Sequence, residues 1–246
     1  MKRRALDMLL VSVALVVLWQ ALHWRVGEEG LASPAATLRQ IGEELESPRF
    51  WRHVAETAIA FGWALLYSAG GGLVLGLWFG FRRLAGEVAE PVLTAFASLP
   101  KVTLYPIMLL VFGLGLPAKV AFGAIHGIVP VVLFSMAAVR NLAPVLTRTA
   151  RVLRLDARTT ALTVLLPAAL PEIVSGLRIG FSLTLLGVLI GEMFAAKRGL
   201  GFLIMNAIGL NDSGTIMTVA TLLFAFAALA NAALLALDRH LHHRGD

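Results

Sequence analysis

Residues Arg140 to Pro171 read RNLAPVLTRTARVLRLDARTTALTVLLPAALP, the longest polar interruption in the hydrophobic part of the chain. Four arginines, Arg148, Arg151, Arg154 and Arg158, sit on two short helical patterns broken near Leu155-Asp156, and the stretch closes on Leu166-Pro167 and Leu170-Pro171. Asn141 to Pro144 can start the first helix. Asp156 is placed to cap the second, because a carboxylate can accept from the free N–H groups of a first turn. Pro167 and Pro171 lack an N–H, so they are expected to end or bend the second helix as it enters the next hydrophobic run. Two short helices joined by a bend form a knob, a shape suited to a groove on another protein.

On both sides of this stretch the chain is too apolar for a soluble domain: 58% of its 246 residues are hydrophobic and 15% charged, with mean hydropathy +0.81. A membrane helix needs about 20 mostly apolar residues, so the runs predict an all-α integral membrane protein of about six transmembrane helices in a single domain, 1–246. The expected spans are 7–25, 54–81, a broken one from Pro91 to Pro117, 119–139, 172–195 and 215–237. The first follows Met1-Lys2-Arg3-Arg4 and reads as an uncleaved helix rather than a signal peptide. It is long, ends in Trp19 and Trp24, and has Ala32 as its one candidate cleavage site.

Between the first two spans, Leu38, Ile41 and Leu45 recur at helical spacing opposite Glu43 and Glu44, which predicts a short surface helix. Gly72, Gly76 and Gly80 on the second span, and Gly176, Gly180, Gly187 and Gly191 on the fifth, put small residues on one helix face. Helices approach closely in lipid along such faces. Pro100 and Pro106 are expected to break the third span around SLPKVTLYP, residues 98–106, ahead of a tight turn at Gly113 to Pro117. Residues 196–214, AKRGLGFLIMNAIGLNDSG, read as a glycine-punctuated re-entry or loop.

Six spans place both termini on one side. Lys2, Arg3, Arg4, Arg82, Arg83, Arg140, the four knob arginines, Arg239 and Arg244 share that side. Arg25, Arg39, Arg49, Arg52, Lys119, Lys197 and Arg198 share the other. The larger set assigns the termini and the knob to the cytoplasm, which makes the net charge of +6 a topological signal rather than a nucleic-acid footprint. The absence of cysteine excludes disulfides, thiol catalysis and cysteine zinc sites. Ionisable residues inside spans are functional candidates because charge is costly in lipid. Lys101 lies at the expected helix break, to face an anionic solute or snorkel to the interface. His126 reads first as a hydrogen-bonded packing residue. Glu192 is expected to pair with Lys197 or Arg198, or to gate a path. These three are the candidates for a translocation path.

The ending Val164-Leu165-Leu166-Pro167, followed by Ala168-Ala169-Leu170-Pro171 and Ser175-Gly176-Leu177-Arg178-Ile179, resembles the membrane permease subunit of bacterial ABC importers, the binding-protein-dependent transport family. Ser98-Leu99-Pro100-Lys101, Tyr105-Pro106, Phe112-Gly113-Leu114-Gly115, Glu192-Met193 and Gly199-Leu200-Gly201-Phe202-Leu203-Ile204 extend the resemblance along most of the chain, within the nitrate, sulfonate and taurine branch. The family's coupling loop carries a Glu-Ala-Ala triplet and a glycine four residues after the last alanine. Counted back from Pro167, these positions hold Arg148-Thr149-Ala150 and Arg154. Only Ala150 is kept. The two arginines reverse one charge and are expected to forbid the easy left-handed turn that glycine permits.

The resemblance implies an ABC type I importer permease fold in the bacterial inner membrane. It implies an ATPase-coupling loop at about 140–171 using Arg148, Ala150, Leu153, Arg154, Asp156, Leu166 and Pro167. It also implies cytoplasmic ATP-binding subunits that hold ATP and Mg, a periplasmic or lipid-anchored solute-binding protein, a second permease copy in a homodimer, and membrane lipid. The chain itself has no GxxxxGK[ST] phosphate loop; it is expected to be no enzyme and to bind no metal, cofactor or nucleic acid. The solute would be a nitrate-, sulfonate- or taurine-like anion or a small aromatic or pyrimidine compound. Two other classes fit less well. An ion-coupled secondary transporter would show inverted repeats and paired broken helices. An intramembrane serine protease using Ser175 with His126 would want a glycine where Ile173 stands.

Overall fold

The computed structural model describes Lys2 to His242, without the side chains of residues 2–5, 8, 9, 157, 195 and 237–242. The charge-side assignments of Lys2, Arg3, Arg4, Arg239 and Arg244 therefore lie outside the described side chains. No strand occurs among the described residues, in keeping with an all-α chain. α1 (Lys2–Val26) precedes the surface helix α2 (Pro34–Glu46), then α3 (Pro48–Phe81) and α4 (Arg83–Ser98). A 3-10 turn, Lys101–Leu104, leads into α5 (Tyr105–Phe112), which is followed by α6 (Leu116–Arg140) and α7 (Pro144–Val152). α8 (Ala157–Thr159) passes through a π-helical stretch, Thr160–Leu165, into α9 (Leu166–Ala195), and α10 (Leu200–Gly209) and α11 (Ser213–His242) complete the chain.

Four segments are long and apolar enough to cross a membrane: Pro48–Phe81, Leu116–Arg140, Thr160–Phe194 and Ser213–Ala236. The pair Arg83–Ser98 and Lys101–Phe112, bent by 92°, makes a fifth if taken as one broken span. That gives four or five segments of membrane length among the described residues, and Leu10–Val26 of α1 is a further apolar helix beside them.

Contacts divide the chain into two compact units, one of residues up to 56 with 192–226, the other of 57–191 with the residues from 227. In the first unit α2 starts as its sequence suggests: Ser33 Oγ accepts from the Ala36 N–H at 3.1 Å, with Pro34 at the first helical position. Trp19 Nε1 donates to the Ala32 carbonyl at 2.9 Å, tying α1 to the segment before α2. Residues 200–209, within the stretch expected as a re-entry or loop, form the helix α10. Its flanking glycines serve as cap and last residue rather than as loop punctuation.

The second unit is built on α6, whose Phe122, Val131 and Val132 are fully buried. The glycine faces of α3 and α9 both lie against it. A Cβ at Gly76 would sit 2.6 Å from the Ser135 Cβ and 2.7 Å from the Val132 carbonyl oxygen. On α9, a Cβ at Gly180 would sit 2.5 Å from Val131 Cγ2. Ser68 of α3 and Thr184 of α9 share a buried hydrogen bond of 2.9 Å where they pass Gly127.

The third expected span breaks at Leu99-Pro100, as its proline predicts, while Pro106 sits in the first turn of α5, where a missing N–H costs nothing. Tyr105 Oη donates to the Gly191 carbonyl at 2.7 Å, fixing α5 on α9. Arg140, the last residue of α6, donates to Glu90 at 2.9 Å and to the Arg83 carbonyl at 2.9 Å, so it clamps α4.

Gly76→Ala is expected to lower the thermal stability of the detergent-solubilised protein by about 1–3 kcal/mol through overpacking. Gly70→Ala, with nothing within 4 Å of its Cβ position, is expected to stabilise α3 slightly. Thermal unfolding of the two variants side by side checks the opposite signs.

Candidate functional site

Within the stretch 140–171, α7 and α8 fall between Pro144 and Thr159, and a helical segment of membrane length runs on from Thr160. α7 starts on Pro144 and ends in a turn whose hydrogen bonds identify it: Leu155 N–H donates to the Ala150 carbonyl at 3.0 Å and Arg154 N–H to the Arg151 carbonyl at 3.1 Å. This pair of bonds, six to one outside five to two, is the Schellman ending, which requires a left-handed residue between them. That residue is Arg154, at φ 54°. The sequence argument that arginine here removes the left-handed turn is therefore corrected: the turn is kept, and the bonds to Ala150 and Arg151 hold an ordinary L-residue in a conformation costing roughly 1–2 kcal/mol.

Asp156 then caps α8 as expected, its Oδ2 accepting from the Arg158 and Thr159 N–H groups at 3.1 Å each. The Thr159 hydroxyl, followed by the backbone N–H groups of Thr159 and Arg158, holds this carboxyl below its ordinary value of 3.8. Of the two outcomes expected of Pro167 and Pro171, ending the helix does not occur. Leu166 N–H donates to the Ala161 carbonyl in the wider π register, and the helix runs on through Pro171. A wider turn relieves the clash between a proline ring and the carbonyls before it.

Ala150 is buried, whereas Arg148, Leu153, Arg154, Asp156, Leu166 and Pro167 are exposed. The three path candidates are each engaged by their own surroundings. Lys101 Nζ donates to the Ala97 carbonyl at 3.0 Å and lies 5.8 Å from the Phe96 ring, so it closes the C-terminus of α4, where a cation suits the helix dipole. His126 is buried, with Nδ1 2.8 Å from the Phe122 carbonyl, a bond in which the ring N–H donates. Ser175 Oγ donates to the Pro171 carbonyl at 3.0 Å. A Ser175–His126 catalytic pair has no support in either bond.

Glu192 is completely buried, and its Oε2 accepts from the Gly201 N–H at 3.1 Å, in the first turn of α10. Lys197 and Arg198, its expected partners, are exposed. Beside it, the Gly199 N–H donates to His53 Nδ1 at 3.1 Å, and His53 stacks on Phe202 at 5.9 Å. Two side chains thus satisfy donors that a helix start leaves unpaired. Gly199 is required twice over, by φ 128° and because a Cβ would collide with the Glu192 carboxylate. His53 was not singled out by its sequence, and no local pattern signals a partner 146 residues away.

The second unit also holds an apolar cavity of about 710 Å³ lined by Trp63, Tyr67, Met108, Phe112 and Ile128 among others. Neither Lys101 nor His126 lines it.

Residues 72–244 match the family of binding-protein-dependent transport system inner membrane components. The chain belongs to this family of ABC importer permeases. The permease is 31% identical over 239 residues to the riboflavin transport system permease protein of Chloroflexus aurantiacus, covering 96% of this chain and 86% of that one. It is 30% identical over 209 residues to a probable ABC transporter permease of Haemophilus influenzae, with 84% of each chain covered. With the taurine transport system permease of Escherichia coli K12 it shares 28% over 191 residues, 78% and 70% of the two chains. The permease stands in the nitrate, sulfonate and taurine branch, a multi-pass membrane subunit of an ABC importer that is itself non-catalytic.

Two outcomes test the geometry. Arg154→Gly in the permease is expected to relax the α7 turn and slow exchange of the Leu155 amide about fivefold, from roughly 1 kcal/mol of released strain. Asp156 carries a carboxyl whose folded value is lowered, so its capping is complete above the ordinary value and lost as pH falls through the lowered one. Protection of the Arg158 and Thr159 amides, corrected for intrinsic exchange, is expected to fall in acid, and Asp156→Asn is expected to remove that dependence. At the other site, Gly199→Ala is expected to cost about 2–4 kcal/mol by combining strain and overpacking. Gly209→Ala, facing open space, serves as the neutral control in the same thermal unfolding measurement.

Proposed function

We propose that the permease forms half of a homodimeric pore in the bacterial inner membrane, with both termini and the α7–α8 knob in the cytoplasm. Separate ATP-binding subunits dock on the knob through Arg148, Ala150, Leu153, Arg154 and Asp156, while Leu166 and Pro167 shape its exit into α9. ATP and Mg bind on those subunits, and a periplasmic or lipid-anchored binding protein delivers the solute. The observation that carries this reading is the knob itself: a short, exposed, basic two-helix element set between two membrane-length helices of an importer permease.

ATP-driven closure of the partner subunits would move two knobs together and rock the pore between outward and inward access. Lys101, His126 and Glu192 contribute to the path through the helix ends and packing they hold, rather than as a row of free charges. Relatives carry names for solutes as unlike as taurine and riboflavin, which supports leaving the choice of solute mainly to the binding protein. The solute class proposed is a nitrate-, sulfonate- or taurine-like anion or a small aromatic or pyrimidine compound.

The permease, tagged and extracted in mild detergent, is expected to bring down an ATP-binding subunit in equal amount. ATP hydrolysis in the reconstituted complex is expected to rise when the loaded binding protein is added. An extract in which no ATPase accompanies the permease would remove the basis of the reading.

A further inference from the structure

Burial of Ala150 sets one face of α7 inward, and the other carries a mixed row. Val145, Arg148 and Val152 follow one another at intervals of three and four, so they share one exposed stripe, with Arg151 beside it. Val152 is 81% exposed and Leu153 64%. Past the turn, Arg154 and Arg158 are exposed as well. Asp156 is the one acid between Pro144 and Thr159, and its Oδ2 is turned to the α8 N–H groups. None of the four arginines makes an ion pair among the described residues. Arg154 is moreover held left-handed, where a glycine would sit without strain.

We infer that the knob fits an acidic groove on the ATP-binding subunit, in which carboxylates pair with Arg148 and Arg154 around an apolar floor that receives Val152 and Leu153. The inference rests on the proposed ATP-binding partner and adds the chemistry of its groove. Four planar guanidiniums are complementary to carboxylates, which they bind through two parallel hydrogen bonds. A groove of like charge is rejected by the same arrangement. Anionic lipid headgroups attract arginines as well, and α7 carries Arg148 and Arg151 to one side of Val145 and Val152, so the lipid composition is varied in the experiment to separate that occupant from the protein.

The purified ATP-binding subunit encoded with the permease is titrated onto full-length permease in neutral phosphatidylcholine nanodiscs and in nanodiscs containing phosphatidylglycerol, across a salt series. Wild type is expected to bind in both lipids and to weaken as salt rises. Arg148→Glu with Arg154→Glu is expected to weaken binding about tenfold or more and to flatten the salt dependence. Arg148→Lys with Arg154→Lys should retain most of the affinity and its salt dependence. Arg154→Gly separates charge from strain, and a loss of affinity despite the relaxed turn supports the charge. Equal binding and equal salt dependence in wild type and the double glutamate variant would overturn the inference. Wild-type binding that occurs only with phosphatidylglycerol would overturn it too, assigning the arginines to lipid. Wild type that binds no ATP-binding subunit in either lipid overturns the proposed partner along with the groove, so the two failures are told apart.

Discussion

Everything in the larger unit depends on backbone approaching backbone around α6. In hydrocarbon, two helices gain nothing by expelling water from between them, so they hold together by close contact and by hydrogen bonds. Glycines on α3 and α9 remove the side chains that would keep those helices away from α6, and the Ser68–Thr184 bond fastens α3 to α9 as they pass Gly127. α6 is consequently gripped on two sides. Its last residue, Arg140, holds α4 through Glu90 and the Arg83 carbonyl, and the chain then enters the knob. The exposed knob therefore hangs from a helix held on two sides.

The smaller unit solves a different problem, that of starting a helix out of water. α10 begins with backbone donors that have no partner within the helix, and His53 and Glu192 take two of them, from Gly199 and Gly201. A buried carboxylate would be expensive alone. Against a helix start it meets both hydrogen-bond donors and the positive end of the dipole.

What the amino-acid sequence made legible was whatever repeats along the chain. Apolar runs of membrane length, glycines on one face and a proline break at Leu99-Pro100 all leave a periodic or local trace, and the structure places them accordingly. The α10 helix was hidden because Gly199 and Gly209 at its two ends look like loop punctuation, although one caps it and the other lies in its last turn. Residue identity argued against a left-handed Arg154, yet the bonds closing the turn outweigh a strain of about 1–2 kcal/mol. The family motif located the knob, while His53 meets Gly199 across 146 residues of sequence, a separation that leaves no local signal.

The π-helical stretch between the knob and α9 sets the direction in which the knob points. Each residue of an α-helix advances the chain by about 100°, and a π turn holds one residue more than its α neighbours. The azimuth of the Asp156 cap about the α9 axis thus depends on that surplus residue within Thr160–Leu165. Removing one residue there would leave every residue of the knob in place while swinging the knob to another side of the helix. Register works as a compass: the same arginines, rotated, would face a different neighbour.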